Sequence, residues 1–300
     1  MAKSFSIPLL EPIIFKEKLI QNKNESLLNN HAINDFFIHN FKEESVQLKL
    51  PLPPHKKTVH DFVITFKGSM IKSIGLEHFE LKNNRFLFTP KNNITTTQEV
   101  SQDLEGYYCH FSNQFLPNHP YLKLWLTNSI SKNLILLHPK QIKSLRFLLE
   151  RMHTLYNDTK EKESNYNLIH YYLSVFIAKI SIISEEHYSK TRISSIASRF
   201  QELIHQHFKN SRSLQYYANL IHVSPNHLNK TIKKETGKSA TQIINDLCIL
   251  EAQVLLSQTT LDVRQIAHAL GFDDSSYFSR FFKKHTQFSP LKYRKMIDLS

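Results

Sequence analysis

Two clusters of polar side chains in the last third of the chain have the types and spacing for reading nucleic-acid bases. Asn226, Asn229 and Lys230 form one, and Ser276, Ser279 and Arg280 form the other. An Asn amide pairs with adenine, and an Arg or Lys side chain with guanine, in the major groove of DNA. Lys233, Lys234, Lys283 and Lys284 follow one turn later, where a phosphate backbone is the expected contact. For each of these residues the alternative is a solvated surface position. Other chemistry is sparse. His55 and His60 lack the His-x-His spacing of a metal site and have no third ligand, so no metal is expected and both are read as surface or pocket histidines. Cys109 and Cys248 are the only cysteines, too few for a disulfide framework. No catalytic group and no cofactor is expected.

Short helices must hold the two clusters outward. Ile196, Phe200, Leu203, Ile204 and Phe208 recur at helical steps, and Leu214, Ala218 and Ile221 make a short second helix with Ser213 as its N-cap. Ser224-Pro225, a cap followed by proline at the first helical position, opens a third helix. Leu228 and Ile232 face inward there, and Gly237 ends it. Short helix, tight turn and capped helix are the grammar of a helix-turn-helix unit. The grammar repeats. Val263, Ile266, Ala267 and Leu270 form one helix, Gly271-Phe272 turns the chain, and Asp273–Ser276 offers caps. The next helix packs Tyr277, Phe278, Phe281 and Phe282 before Ser289-Pro290 stops it. A helix over 240–257 joins the two units. At about 1.5 Å per residue it spans roughly 27 Å, which with the element widths sets the units about one DNA turn, roughly 34 Å, apart.

Residues from about 193 to 297 resemble the DNA-binding domain of the AraC/XylS family of transcription regulators. The residues that carry this are Leu256, Val263 to Ala267, Leu270 to Lys284, Ser289-Pro290 and Tyr293-Arg294. Ala218, Val223-Ser224-Pro225, Leu228, Lys233 and Thr236 to Ser239 match the family's first unit. The resemblance implies that Asn226, Asn229, Lys230, Ser276, Ser279 and Arg280 occupy base-contacting positions. Two departures stand out. The family often has arginine where Leu247 stands, and glycine where Gln287 stands, so a side chain sits at a turn that glycine eases.

The rest of the chain reads differently. Ile33–Phe37, Phe62–Phe66, Ile71–Ile74, Arg85–Phe88 and Gly106–Ser112 are short strands between turn signals, spaced for an antiparallel sandwich or barrel. From Pro139 the period becomes helical. Ile142, Leu145, Leu149, Met152 and Tyr156 form one stripe, and a second helix over Asn165–Ser184 carries Ile169, Leu173, Phe176, Ile180 and Ile183. Its other flank bears Leu168, Tyr172 and Val175, so its apolar face is broad. An antiparallel hairpin is expected; its stripes pack on each other and on the β-domain, or the wider one, Ile169 and Phe176 included, also meets its twin in a dimer, the reading favoured here. Glu185–Arg192 is polar and basic and reads as a linker. Pro53-Pro54-His55, His60-Asp61-Phe62, Gly68 and Phe86 to Pro90 resemble the cupin-like β-barrel sensor found in many members of the family, a shape whose mouth suits a small ligand.

Composition is consistent with this division. The chain has 300 residues, 41% of them hydrophobic, with 38 Lys/Arg against 26 Asp/Glu for a net charge of +12. Such a balance favours polyanions. The stretch from Thr191 holds 15 Lys/Arg and 8 Asp/Glu, so the excess is denser there. Met1–Leu10 lacks the long apolar core of a signal peptide, and the apolar run Leu173–Ile183 is short for a bilayer span. A cytoplasmic protein without a membrane partner is expected. The fold class is α+β: a cupin-like sensor over 1–138, a helical hairpin for dimerisation and linkage over 139–189, and an AraC-type DNA-binding domain over 190–300. Three functions are weighed. A ligand-responsive, sequence-specific transcription regulator is favoured over a cupin enzyme with a DNA-binding appendage, which lacks its metal triad, and over an architectural DNA-binding protein, which has less use for two recognition helices. Expected partners are double-stranded DNA, a second copy of the chain and a small-molecule effector of unknown identity, with RNA polymerase a further candidate.

Overall fold

The structure is a computed structural model and describes residues 12, 35–42, 50–116, 134–158, 160, 162–188, 195–207 and 211–298. The sequence readings at Met1–Leu10, Ile33, Phe208 and residues 189–192 lie outside these. The chain divides into two compact units, centred on Lys56–Lys190 and Thr191–Ser300.

In the first unit nine strands among the described residues form two sheets. One holds, in order, β1 (Phe36–Asn40), β8 (Glu105–Phe111), β3 (His60–Lys67), β6 (Arg85–Thr89) and β9 (Leu134–Leu136). The other holds β2 (His55–Lys56), β7 (Ile94–Val100), β4 (Met70–Ile74) and β5 (Glu77–Leu81). Among the described residues no ladder joins the sheets, so the barrel expected from the sequence is replaced by two sheets. Alternation along the strands then sorts the side chains. Phe62 and Ile64 of β3, Phe86 and Phe88 of β6, and Cys109 and Phe111 of β8 are fully buried and share one face. Val63, Met70, Ile74, Phe79, Leu81 and Leu87 cluster on the opposite side, between the sheets. Gly106 has its place because a Cβ there would lie 2.0 Å from the Ile64 carbonyl oxygen, beside the bulge at Thr65/Lys67.

Two antiparallel-type helices cover the first face. Helix α1 is Pro139–Asn157 and α2 is Lys162–Tyr188. The Phe176 ring stacks on Phe62 at 4.8 Å, and Ile169, Leu173, Ile177 and Ile180 are buried with it. Ile169 and Phe176 therefore belong to the unit's own core and not to a free dimer face. The broad stripe is in fact divided. Leu168, Tyr171, Val175 and Ile182 are exposed, and Tyr172 is half-buried. Helix α2 also runs through Tyr188, into the stretch read as linker. Its Glu163–Glu185 portion is long and apolar enough to cross a membrane by length and composition, contrary to the length argument above. Its packing gives it a different use, since Asn165, Ser181 and Ser184 are buried with the apolar side against the sheet.

The second unit is helical: α3 (Ser195–His207), α4 (Leu214–Ile221), α5 (Pro225–Thr236), α6 (Ala240–Gln258), α7 (Val263–Ala269), α8 (Ser275–Thr286) and α9 (Pro290–Asp298). Helix α6 is buried on most of its circumference, with Ile244, Leu247, Cys248, Ala252, Val254, Leu255 and Leu256 all enclosed. Leu247, where the family often has arginine, is a core residue here.

If Phe176 anchors α2 to the sheet, Phe176→Ala should lower stability by about 3–5 kcal/mol, read from urea unfolding of the full chain. A loss under about 1 kcal/mol would mean that the α2 contact is marginal.

Candidate nucleic-acid interface

The two helix-turn-helix segments of the helical unit present matched helices. Ser224 caps α5, its Oγ accepting the His227 N–H at 3.2 Å, and Gly237 closes the helix at φ 75° in the left-handed region. Asp274 caps α8 by accepting from Ser276 N at 2.8 Å and Tyr277 N at 3.1 Å. Those N–H groups hold its carboxyl below the usual range, with the nearby Arg280 charge adding to the effect. Leu228 and Ile232 anchor the buried side of α5, and Phe278 and Phe282 that of α8, all of them 0–1% exposed. At the position corresponding to Gly237, α8 ends on Gln287 at φ 67°. The turn keeps its shape without glycine, at a cost in backbone strain.

The opposite side of each helix is open. Asn226, Lys230, Lys233 and Lys234 are exposed on α5, as are Ser276, Arg280, Lys283 and Lys284 on α8. Among the described residues none of these lysines, nor Arg280, is engaged in an ion pair. Asn229 and Ser279 are placed differently. Both are half-buried; the Asn229 Oδ1 accepts the Ala240 N–H at 2.9 Å, and the Ser279 Oγ donates to the Ser275 carbonyl at 2.9 Å. Asn229 thus fastens α5 to the start of α6. Two residues were not singled out from the sequence. His227 and Tyr277 stand exposed in the first turns, each just before the buried anchor, and Tyr277, read as a packing residue, is 54% exposed. Their place before Leu228 and Phe278 in the repeated pattern was the available signal.

Two links hold the helices in register. Helix α6, with 19 residues, is about 28 Å long and is capped by a Ser239–Gln242 box. Arg212, just before α4, donates from Nη2 to the Gly271 carbonyl at 2.9 Å and lies 3.6 Å from the centroid of the Phe272 ring. It joins the first helix-turn-helix to the turn of the second, both within the helical unit. Arg294 ties α9 to α6 through the Leu256 carbonyl at 3.1 Å.

The histidines weighed as metal ligands are otherwise occupied. His60 accepts the Lys91 N–H at Nδ1, 3.1 Å, and donates from Nε2 to Asn113 Oδ1, and burial lowers its pKa to about 4. His55 Nδ1 lies 2.8 Å from the Pro53 carbonyl oxygen. Among the described residues no group of three or more His, Cys, Asp or Glu is placed to hold a metal ion.

Residues 217–296 match the family model of a helix-turn-helix domain. The transcriptional activator RhaS of Enterobacter sp. (strain 638) is 23% identical over 287 residues, 90% of this chain and 98% of that protein. The regulator YobQ of Bacillus subtilis (strain 168) is 31% identical over 110 residues, 37% of this chain and 46% of that protein. Among solved structures, the C-terminal domain of AraT, a response regulator from Geobacillus stearothermophilus, is 34% identical with a TM-score of 0.34, covering 35% of this chain and 88% of that one. ToxT from Vibrio cholerae O395 is 17% identical with a TM-score of 0.40, covering 88% of this chain and 94% of that one.

Because Gln287 holds a left-handed conformation that glycine adopts freely, Gln287→Gly should stabilise the protein by about 1 kcal/mol. Thermal unfolding of the two proteins checks this; equal or lower stability in the variant would mean that the Gln287 side chain makes a compensating contribution.

Proposed function

The chain belongs to the AraC/XylS family of transcription regulators, and on that premise we propose that one copy reads two successive major grooves with α5 and α8. The observation that supports this most directly is the repetition: two capped helices with buried apolar anchors and open, cation-rich outer faces, joined by one rigid helix. Regulation of transcription by sequence-specific DNA binding is the activity of the family. Its relatives here are regulators, and no catalytic role is proposed. In the recognition turns, Asn226, Lys230, Ser276 and Arg280 reach base edges, with His227 and Tyr277 beside them. Lys233, Lys234, Lys283 and Lys284 meet phosphate. Asn229 and Ser279 act closer to the helix backbone, holding the reading residues in place. The first unit senses a small effector, and the protein works in the bacterial cytoplasm, where RNA polymerase is its further partner.

A second copy of the chain is assigned to the outer side of α2. Leu168, Tyr171, Val175 and Ile182 are 46–66% exposed, and their steps of three, four and seven form the seam of a two-helix contact. A twofold dimer would bring that seam against itself.

Two measurements test these assignments. Arg280→Ala should cost about 1–3 kcal/mol on the operator and relax preference at one base pair, while Lys234→Ala should weaken all sequences alike and reduce the salt slope by about one unit. Selection from a randomised operator library at several salt concentrations reads both, and a uniform loss for Arg280→Ala removes its base-reading role. In sedimentation, Leu168→Asp combined with Val175→Asp should give a folded monomer. A wild-type chain that is monomeric at high micromolar concentration would dispose of the dimer.

A further inference from the structure

The space between the two sheets is apolar at one end and charged at the other. Asp61 on β3, with 1% exposure, lies 3.1 Å from the Nζ of Lys72, which reaches across from β4 in the opposite sheet. Its other oxygen pairs with Lys57, next to β2. Lys57 is in turn 3.3 Å from the Tyr108 hydroxyl. Lys57 and Lys72 are both buried, at 7% and 3% exposure. The register places Thr89 of β6 and His110 of β8 opposite Asp61, one on each side. The Thr89 Oγ1 is buried without a hydrogen-bond partner among the described residues.

Stability does not account for such a group. Burying ions costs several kcal/mol each, and apolar side chains of similar size commonly serve a core as well or better. Val63, Met70, Ile74 and Leu87 do so at the other end of the same interior. The lining also has a definite chemical bias. The Lys72 ammonium has three N–H groups and gives one to Asp61, the Thr89 hydroxyl lacks a partner among the described residues, and the Tyr108 hydroxyl has only a long 3.5 Å contact with His110 Nδ1 to compete for its proton. Donors outnumber acceptors, and both ammonium groups repel a cation.

We propose that this charged end of the intersheet space is the effector site and that the effector is a small carboxylate, held by Lys72 and Lys57 with the Tyr108 and Thr89 hydroxyls. This rests on the reading of the first unit as a sensor and adds the class of molecule sensed. The donors come from both sheets, so a bound carboxylate links β6 and β8 to β4 and tightens one sheet on the other. Proton linkage follows from the same geometry. Burial lowers the Lys57 pKa to about 8, with Asp61 opposing and Lys72 reinforcing the shift. Among the described residues Asp61, Lys72 and Tyr108 face it, with His110 beyond Tyr108, and burial pushes the Tyr108 hydroxyl well up, so that it remains a donor. A carboxylate favours the charged lysine and therefore binds with proton uptake, losing about tenfold in affinity from pH 7 to pH 9.

The test is thermal shift and calorimetry on the full chain with butyrate, octanoate and benzoate, beside their primary amides and the corresponding amines. At least one carboxylate should raise Tm saturably, its amide and amine should not, and its affinity should fall at pH 9. Lys72→Met should abolish the effect and Tyr108→Phe should weaken it several-fold, both with DNA binding retained. Should Lys72→Met fail to fold, Tyr108→Phe decides. Carboxylate binding that is unaffected by Tyr108→Phe or by pH overturns the site. A response to amides, amines or polyols with the carboxylates silent overturns the anion assignment and leaves the sensor reading standing. If no small molecule of any class shifts Tm or DNA affinity, the sensor reading fails with it.

Discussion

The DNA-binding unit depends on the burial of α6 from nearly all sides. A helix that is apolar around most of its circumference has to be enclosed, and here the enclosing elements are the ones that present the recognition helices. Leu228 and Ile232 of α5, Phe278 and Phe282 of α8, and the Arg294 bond from α9 all serve that enclosure. Each inward anchor fixes which residues of its helix remain outside. The open faces of α5 and α8 are thus the complement of one packing requirement.

The first unit solves a different problem. Its five-stranded sheet is covered by α1 and α2 on one face and meets the second sheet on the other. A period of two therefore alternates between two buried environments instead of between core and water. One environment is aromatic, with Phe62, Phe86 and Phe176 in contact. The other grades from aliphatic to charged. The charges in it are held by partners from three strands and a connecting residue, so the arrangement exists only once both sheets have formed.

What was legible in the sequence follows from how local its cause is. Caps, a left-handed glycine at Gly237, the Gly271-Phe272 turn and apolar steps of three and four act within a dozen residues, and helices α3 to α8 could be read from them, whereas Ser289-Pro290 was read only as a stop and in fact also opens α9. The strands at β3, β4, β6 and β8 were read from their β-branched and aromatic runs. Strands β5 and β7 were not: EHFEL and ITTTQEV pair by backbone bonds while looking like loop. Lys57, Asp61 and Lys72 are ordinary surface types, and nothing nearby in sequence announces their burial. Helix α2 is apolar on both sides, so periodicity found the helix but not which side was inward. Asn229 followed the outward pattern, but its amide is turned to the backbone of α6.

The two recognition helices share one frame but not one set of letters. Asn226 and Lys230 on α5 correspond to Ser276 and Arg280 on α8. Two identical readers related by a twofold axis see a palindrome and cannot tell its ends apart. Two different readers on a single chain see a text with a beginning and an end. Read as proposed, each chain meets its own half of the site in one orientation, with α5 always toward the same end.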